Sequence, residues 1–319
     1  MTPRPLSQLF DAMYHGKHHF DDFLNMDVEK NFTSVQWKTR TIYKPSPLLK
    51  TFHSFLNGFL LDHLPVNAQV SFAYRKGATL YQAVLPHSKS RAFYQTDLEK
   101  FFNSITEPLI RSTIQRATIP IEDISSYLDR IIGMLTIEGR LPIGYSTSPT
   151  LSNACLLHFD EAMAIESEAR GWLYTRYADD IIISSSDRAN VSNAPSVIRE
   201  CLARTLEGDF RLNESKSKLT TVGRKIKLLG LVILPTGIIC IDRELRHRLE
   251  SRLHFYVTNR TLLEKIFEEE HSGEGMEKGL QRLSGLISYA SDADPNYLEK
   301  LRAKFGTTVV DSLLHRSAQ

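Results

Sequence analysis

Two aspartates, Asp179 and Asp180, stand side by side in the stretch YTRYADDIIISS, with apolar and β-branched residues on both sides. Adjacent carboxylates repel, and a buried pair is costly unless positive charge sits with it. A third acid, Asp97, ends the apolar stretch RAFYQTD just ahead of a helical run. Acids at a strand end and at a hairpin tip are expected to converge on one edge of a sheet. Such a cluster suits Mg²⁺, a hard cation that takes a few carboxylates together with substrate phosphates. Two such ions assist in-line displacement at phosphorus, one at the attacking hydroxyl and one at the leaving oxygen. For an Asp-Asp pair alone the plain alternative is a solvated turn, and for Asp97 alone a helix cap.

The elements that must carry these acids follow from periodicity and punctuation. RTIYKPS reads as a strand stopped by Pro45, and PLLKTFHSFLNGFLLDHL places Leu48, Leu49, Phe52, Phe55, Leu56, Phe59 and Leu60 at helical spacing. RAFYQTDL reads as a strand, TEPLIRSTIQRA and DISSYLDRIIGML as helices, and SPTLSNACLLHFDEAMAIESEAR as one long helix. GWLYTRYADDIIISSS is a β-hairpin with the acid pair at its tip, followed by the helix NAPSVIRECLARTLE and short strands in KIKLLGLVILPTGIICI. Residues 1–35 look weakly helical. From about Asp242 helices take over, with HSGEGMEKG as a flexible loop between them. The class is α+β, with a helical C-terminal part.

The chain has 319 residues, 42% hydrophobic and 24% charged, with a net charge of +2. That charge is too small to announce a nucleic-acid binder, so any basic surface must be local. Cys155, Cys201 and Cys240 show no CxxC or metal-site spacing and read as free thiols of a reducing compartment. The N-terminal residues lack the apolar core of a signal peptide, and no run approaches membrane-span length. A cytoplasmic location without membrane contact is expected.

YADD between two apolar strands resembles the palm motif of reverse transcriptases. YQTDLEKFFNSI resembles the first palm motif, LPIGYSTSPTLSNACLLHFD the next, LNESKSK the lysine motif, KLLGLVI the strand toward the primer grip, and WKTRTIYKPSPLLKTFHSFL the fingers motif. They occur in the family's order from about Trp37 to Ile233. The resemblance implies a right-hand polymerase: N-terminal helices and fingers over 1–95, an RRM-like palm over 96–238 with a fingers insertion at about 107–140, and a small helical thumb over 239–319. It makes Asp97, Asp179 and Asp180 the catalytic metal ligands of an RNA-directed DNA polymerase, a nucleotidyltransferase that uses two Mg²⁺, with Mn²⁺ as a substitute. It places Phe102 under the deoxyribose as the barrier to a 2′-OH, Tyr177 on the primer strand, and Gly144 where backbone approaches the nucleotide. Tyr145 beside it implies a changed base pocket. Arg40 is the choice for the triphosphate, with Lys38 and Lys50 as weaker candidates, and Lys216 for the pyrophosphate leaving group. Each of these cations alone also reads as a solvated surface charge.

Within the family, bacterial retron enzymes are the nearest likeness, and RLSGLISYASDADPNYLEKLRAKFG is similar to their thumb. This implies a noncoding RNA of the msr-msd type as template and primer, dNTPs, a branched RNA-linked multicopy single-stranded DNA (msDNA), and phage defence with a separate effector protein. Arg243, Arg246, Arg248, Arg252 and Arg260, interleaved with apolar residues, would track phosphates; the plain alternative is a solvated amphipathic helix. His87 would serve RNA recognition, or else be a structural histidine. Two features depart from the retron pattern: Ala83 stands where an Asn is usual, and Leu228-Leu229-Gly230 where Val-Thr-Gly is usual. A non-retron defence-associated or group II intron-like bacterial reverse transcriptase, and a catalytically silent RNA-binding scaffold, are the alternatives.

Overall fold

The computed structural model describes residues 2–187, 191–221, 223, 225–271 and 275–316. Residues 272–274 of the expected polar loop lie outside the described residues. Contacts divide the chain into two compact units: residues 1–78, 93–185 and 189–219 form the first, and residues 79–92, 186–188 and 220–319 the second.

In the first unit, helices Leu6–Tyr14 and Phe20–Asn25 bring Phe10 and Phe23 against Phe52 and Phe55 of helix Pro47–Phe59, with ring centroids 5.2–5.9 Å apart. That helix begins as its sequence requires: Pro47 opens the first turn and the Ser46 hydroxyl accepts from Leu49 N at 3.2 Å. Before it, β1 (Phe32–Trp37) pairs antiparallel with β2 (Arg40–Pro45). Only β2 is legible in the sequence. All of β1 except Phe32 is exposed, so it lacks the apolar alternation that marks a half-buried strand.

β3 (Ala92–Asp97), β4 (Leu173–Tyr177), β5 (Asp180–Ser185) and β6 (Lys218–Thr221) form a sheet of order β4-β5-β3-β6. Helices lie between β3 and β4 and, at Ala194–Thr205, between β5 and β6. First and third strands sit at the centre and second and fourth at the edges, which is the split βαβ arrangement of the expected RRM-like palm. The central strands are near-continuous apolar runs because both their faces are covered. The single long helix expected after Gly144 is two helices, Ser148–Cys155 and Leu157–Ala169. At the buried Leu156 the backbone leaves helical ψ, and its N–H tightens onto Asn153 O at 3.2 Å.

The second unit holds a three-stranded antiparallel sheet, β7 (Ile226–Leu228), β8 (Leu231–Ile233) and β9 (Ile239–Ile241). Leu229 and Gly230, within the departure from the retron pattern, form the tight β7–β8 turn with φ of +50° and +87°. Asp242 receives Lys225 and Lys227 at 2.8 and 3.1 Å, and these bonds hold its carboxyl well below the usual range. Helices follow at Arg243–Thr258, Arg260–Glu270, Met276–Ala293 and Pro295–Phe305, the last capped by Asp294, which accepts from Tyr297 N at 3.1 Å. A further helix, Thr307–Arg316, was not legible in the sequence. Cys155, Cys201 and Cys240 are free and buried. Among the described residues, no helix is long and apolar enough to cross a membrane.

Candidate active site

Asp97 closes β3 and is 5% exposed. Leu98 N donates to the Asp179 carbonyl at 3.1 Å, and Asn213 N donates to the Asp97 carbonyl at 2.8 Å. The strand end is thus tied to the acid hairpin and to the segment that carries Lys216. Lys216 Nζ donates to Asp97 Oδ2 at 2.7 Å, with Asn213 Nδ2 at 3.4 Å from the same oxygen. Of the two lysines in ESKSK, geometry selects Lys216. This bond raises the ammonium's pKa. Asp97 Oδ1 is buried without a hydrogen-bond partner. A carboxylate oxygen in that condition is costly unless a cation is supplied.

The Tyr177↔Asp180 pairing leaves Ala178 and Asp179 as a two-residue turn, with Ala178 at φ +56°. Burial raises the Asp179 carboxyl, the Asp97 charge adds to this, and Lys216 and Arg40 oppose it. Asp180 stays accessible at the tip, yet lost solvation, with Asp179 and Asp97 nearby, pushes it up to about 6. Among the described residues no three acid, histidine or cysteine side chains already stand as a coordination set, Asp97 Oδ2 being engaged by Lys216. The mutually repelling hard oxygens, one of them buried and unpaired, nevertheless fit a divalent cation.

Beside Asp179 lies a cavity of about 490 Å³, within the size range of small-ligand sites. Arg40 and the half-buried Phe102 line it, whereas Lys38 and Lys50 are not among its lining residues. Lys50 is instead an exposed residue of helix Pro47–Phe59. Tyr74, Lys100 and Arg140 also line the cavity and were missed. Their signal is weak: single polar residues in loops, of which Lys100 and Tyr74 carry positive φ.

Several expectations are corrected. Gly144 is required by protein backbone whatever approaches it from outside: at φ +107°, a Cβ would stand 2.3 Å from Tyr43 O. Tyr145 is 2% exposed and packs on His53 and Phe32, so its bulk enters the core instead of a base pocket. His87 is fully buried, and burial lowers its pKa to about 3; its ring offers no surface to RNA. Arg252 is buried and bonded to Glu270, which leaves it no phosphate to track. Arg246 donates to Ile241 O at 3.2 Å and lies over the Tyr297 ring at 5.6 Å. Arg243 and Arg248 remain exposed; Arg260, also exposed, lies 4.7 Å over the Tyr256 ring. Tyr177 is half-buried at the end of β4. The sequence reading also passed over Arg176, a cation inside a strand, which is fully buried beneath the turn.

A split βαβ sheet with three acids gathered at its β3 and β4–β5 ends, beside a nucleotide-sized cavity, defines a polymerase palm. Residues 29–233 match the family described as reverse transcriptase (RNA-dependent DNA polymerase), and the chain belongs to that family. It is similar to the Retron Ec73 reverse transcriptase of Escherichia coli, 30% identical over 280 residues that cover 83% of each chain. It is also similar to the Retron Ec83 reverse transcriptase of Escherichia coli, 24% identical over 86% of this chain and 85% of that one. Within the family it is of the bacterial retron type, an RNA-directed DNA polymerase with an RNA partner and nucleotide substrates. A solved telomerase from Candida albicans, in complex with a TWJ fragment of telomeric RNA, aligns with a TM-score of 0.46 and 9% identity over 88% of this chain and 54% of that chain.

Proposed function

We propose that the chain copies a cognate noncoding RNA of the msr-msd type, primed from a 2′-hydroxyl within that RNA, into branched msDNA. In this reading it works in the cytoplasm as part of an antiphage defence system, with a separate effector protein. The observation that carries the catalytic part is the meeting of Asp97, its Oδ1 buried and unpartnered, with the Asp179–Asp180 turn. The likeness to Retron Ec73 reverse transcriptase over 83% of the chain supports the choice of template.

Asp97, Asp179 and Asp180 would hold two Mg²⁺, or Mn²⁺ in their place, and the ions supply activation of the attacking hydroxyl and charge neutralisation at the leaving phosphates. Arg40 binds the triphosphate, where a guanidinium fork matches phosphate oxygens. Phe102 closes the space a 2′-OH would need. Lys216, already an ammonium beside Asp97, donates to the departing pyrophosphate. Tyr177 contacts the primer strand, and Arg243 tracks phosphates. The division into fingers, palm and thumb at about residues 95 and 238 belongs to the same reading.

The test is to purify the protein, sequence its copurifying nucleic acid, and assay primer extension with dNTPs or rNTPs. A branched RNA-linked DNA from one structured RNA is expected, and none from Asp179→Ala/Asp180→Ala. Equal synthesis by that variant overturns the catalytic assignment. Linear copies of unrelated templates would instead point to a non-retron enzyme. Expression with neighbouring genes should reduce phage plaques.

A further inference from the structure

We propose that Arg176 is the positioning residue of the catalytic turn, its buried guanidinium fixing the backbone that aims Asp179 and Asp180. The inference rests on those two acids being the metal ligands.

All five N–H groups of Arg176 are used, and the residue is 0% exposed. Nε donates to Asp160 Oδ1 at 2.7 Å, and Nη2 to Asp160 Oδ2 at 2.5 Å and to Ser71 Oγ at 3.1 Å. Nη1 donates to Asn153 Oδ1 at 3.0 Å and to Ala178 O at 2.9 Å. Asp160 belongs to helix Leu157–Ala169 and Asn153 to helix Ser148–Cys155. Ser71 lies in the segment that flanks β4, where Arg176 N donates to Val70 O at 2.7 Å and Phe72 N to Arg176 O at 3.0 Å. One side chain therefore joins two helices, a flanking segment and the turn.

Burying an ion pair costs several kcal/mol per ion before attraction is counted, and well-packed apolar residues often replace such pairs without loss. Burial alone does not explain why this position of the strand, between Thr175 and Tyr177, carries a guanidinium. The reason lies in the bond to Ala178 O. Ala178 adopts φ +56°, which non-glycine residues seldom do. A conformation of this kind persists only where the surroundings hold it. Arginine alone offers five donors in a rigid plane, enough to satisfy Asp160 bidentately and still reach a backbone carbonyl in another direction.

The test uses full-length Arg176→Met/Asp160→Asn, which leaves neither charge buried, and Arg176→Lys, which keeps the charge but loses the fork. Thermal melting, RNA binding, kcat, KM for dNTP and the half-saturating Mg²⁺ concentration are measured with wild type in parallel. Expected are RNA binding and KM near wild type, a kcat about 100-fold lower, and a half-saturating Mg²⁺ concentration raised about tenfold, about 1.4 kcal/mol in metal affinity. If either variant folds and keeps the wild-type kcat and Mg²⁺ midpoint, Arg176 is a core ion pair only. If the double variant does not fold, Arg176→Lys decides by the same readouts. Wild type without Mg²⁺-dependent synthesis would instead sink the metal-ligand reading.

Discussion

Lys216 donates its ammonium to Asp97 Oδ2 at 2.7 Å, although the lysine side chain is largely exposed and the aspartate is not. The exposed side chain leaves the ammonium within reach of solvent, as the proposed leaving-group role requires. Lys216→Met is expected to lower kcat about 100-fold, the scale seen when one preorganised charged donor is removed. RNA binding should stay near wild type. A loss confined to RNA affinity would contradict the leaving-group role.

Asp180 carries an electrostatic penalty in the folded chain. Its carboxyl is raised from 3.8 to about 6. Between those values the folded chain holds more protons than the unfolded one, so stability falls as pH rises through that window and the penalty is complete at pH 7. In EDTA at pH 7, Asp180→Asn should melt about 1–3 °C above wild type while making no DNA. A lower melting temperature would show that the carboxylate is stabilising where it sits.

Phe102 lines the cavity beside Asp179. Phe102→Ala should raise rNTP incorporation relative to dNTP at least about tenfold, since a steric barrier of one side chain is removed. Single-nucleotide extension with each substrate reads the ratio; an unchanged ratio would leave Phe102 a packing residue.

His53 is buried, donates from Nε2 to Met134 O at 2.9 Å, and leaves Nδ1 without a partner. Burial lowers its pKa from 6.5 to about 4. The unfolded chain binds the extra proton between those values, so stability is full above 6.5 and is lost as pH falls toward 4. At pH 5 the loss is about 2 kcal/mol. Urea unfolding at pH 7 and pH 5 should show that difference shrinking by a similar amount in His53→Gln. An undiminished difference would assign the acid sensitivity elsewhere.

The order of elements and the meeting of Asp97 with the Asp179–Asp180 turn were legible because they depend on local pattern: strand, carboxylate, turn. The strand Phe32–Trp37 was not, since an exposed hairpin strand is stabilised by its partner and not by a buried face. The misassigned residues fail for one reason. His87, Tyr145 and Arg252 carry polar groups that suggest ligands, and only tertiary packing reveals that each is enclosed. Gly144 shows the converse: its need for φ +107° was foreseeable in kind, but the neighbour that forbids a side chain, Tyr43 O, comes from a distant strand. Arg176 had a sequence signal, a charge within a strand, whose meaning depends on Asp160 and Asn153 on the two preceding helices.

The three enclosed thiols turn the molecule into its own reporter. Cys155 and Cys201 lie in the first unit and Cys240 in the second. Burial pushes the Cys155 thiol up to about 12 and also raises Cys201, so neither reacts as thiolate while the fold is closed. Alkylation at each position then proceeds only through local or global opening. Mapping labelled peptides over time, with and without RNA, would read the opening of the two units separately, in a chain that needs no introduced probe.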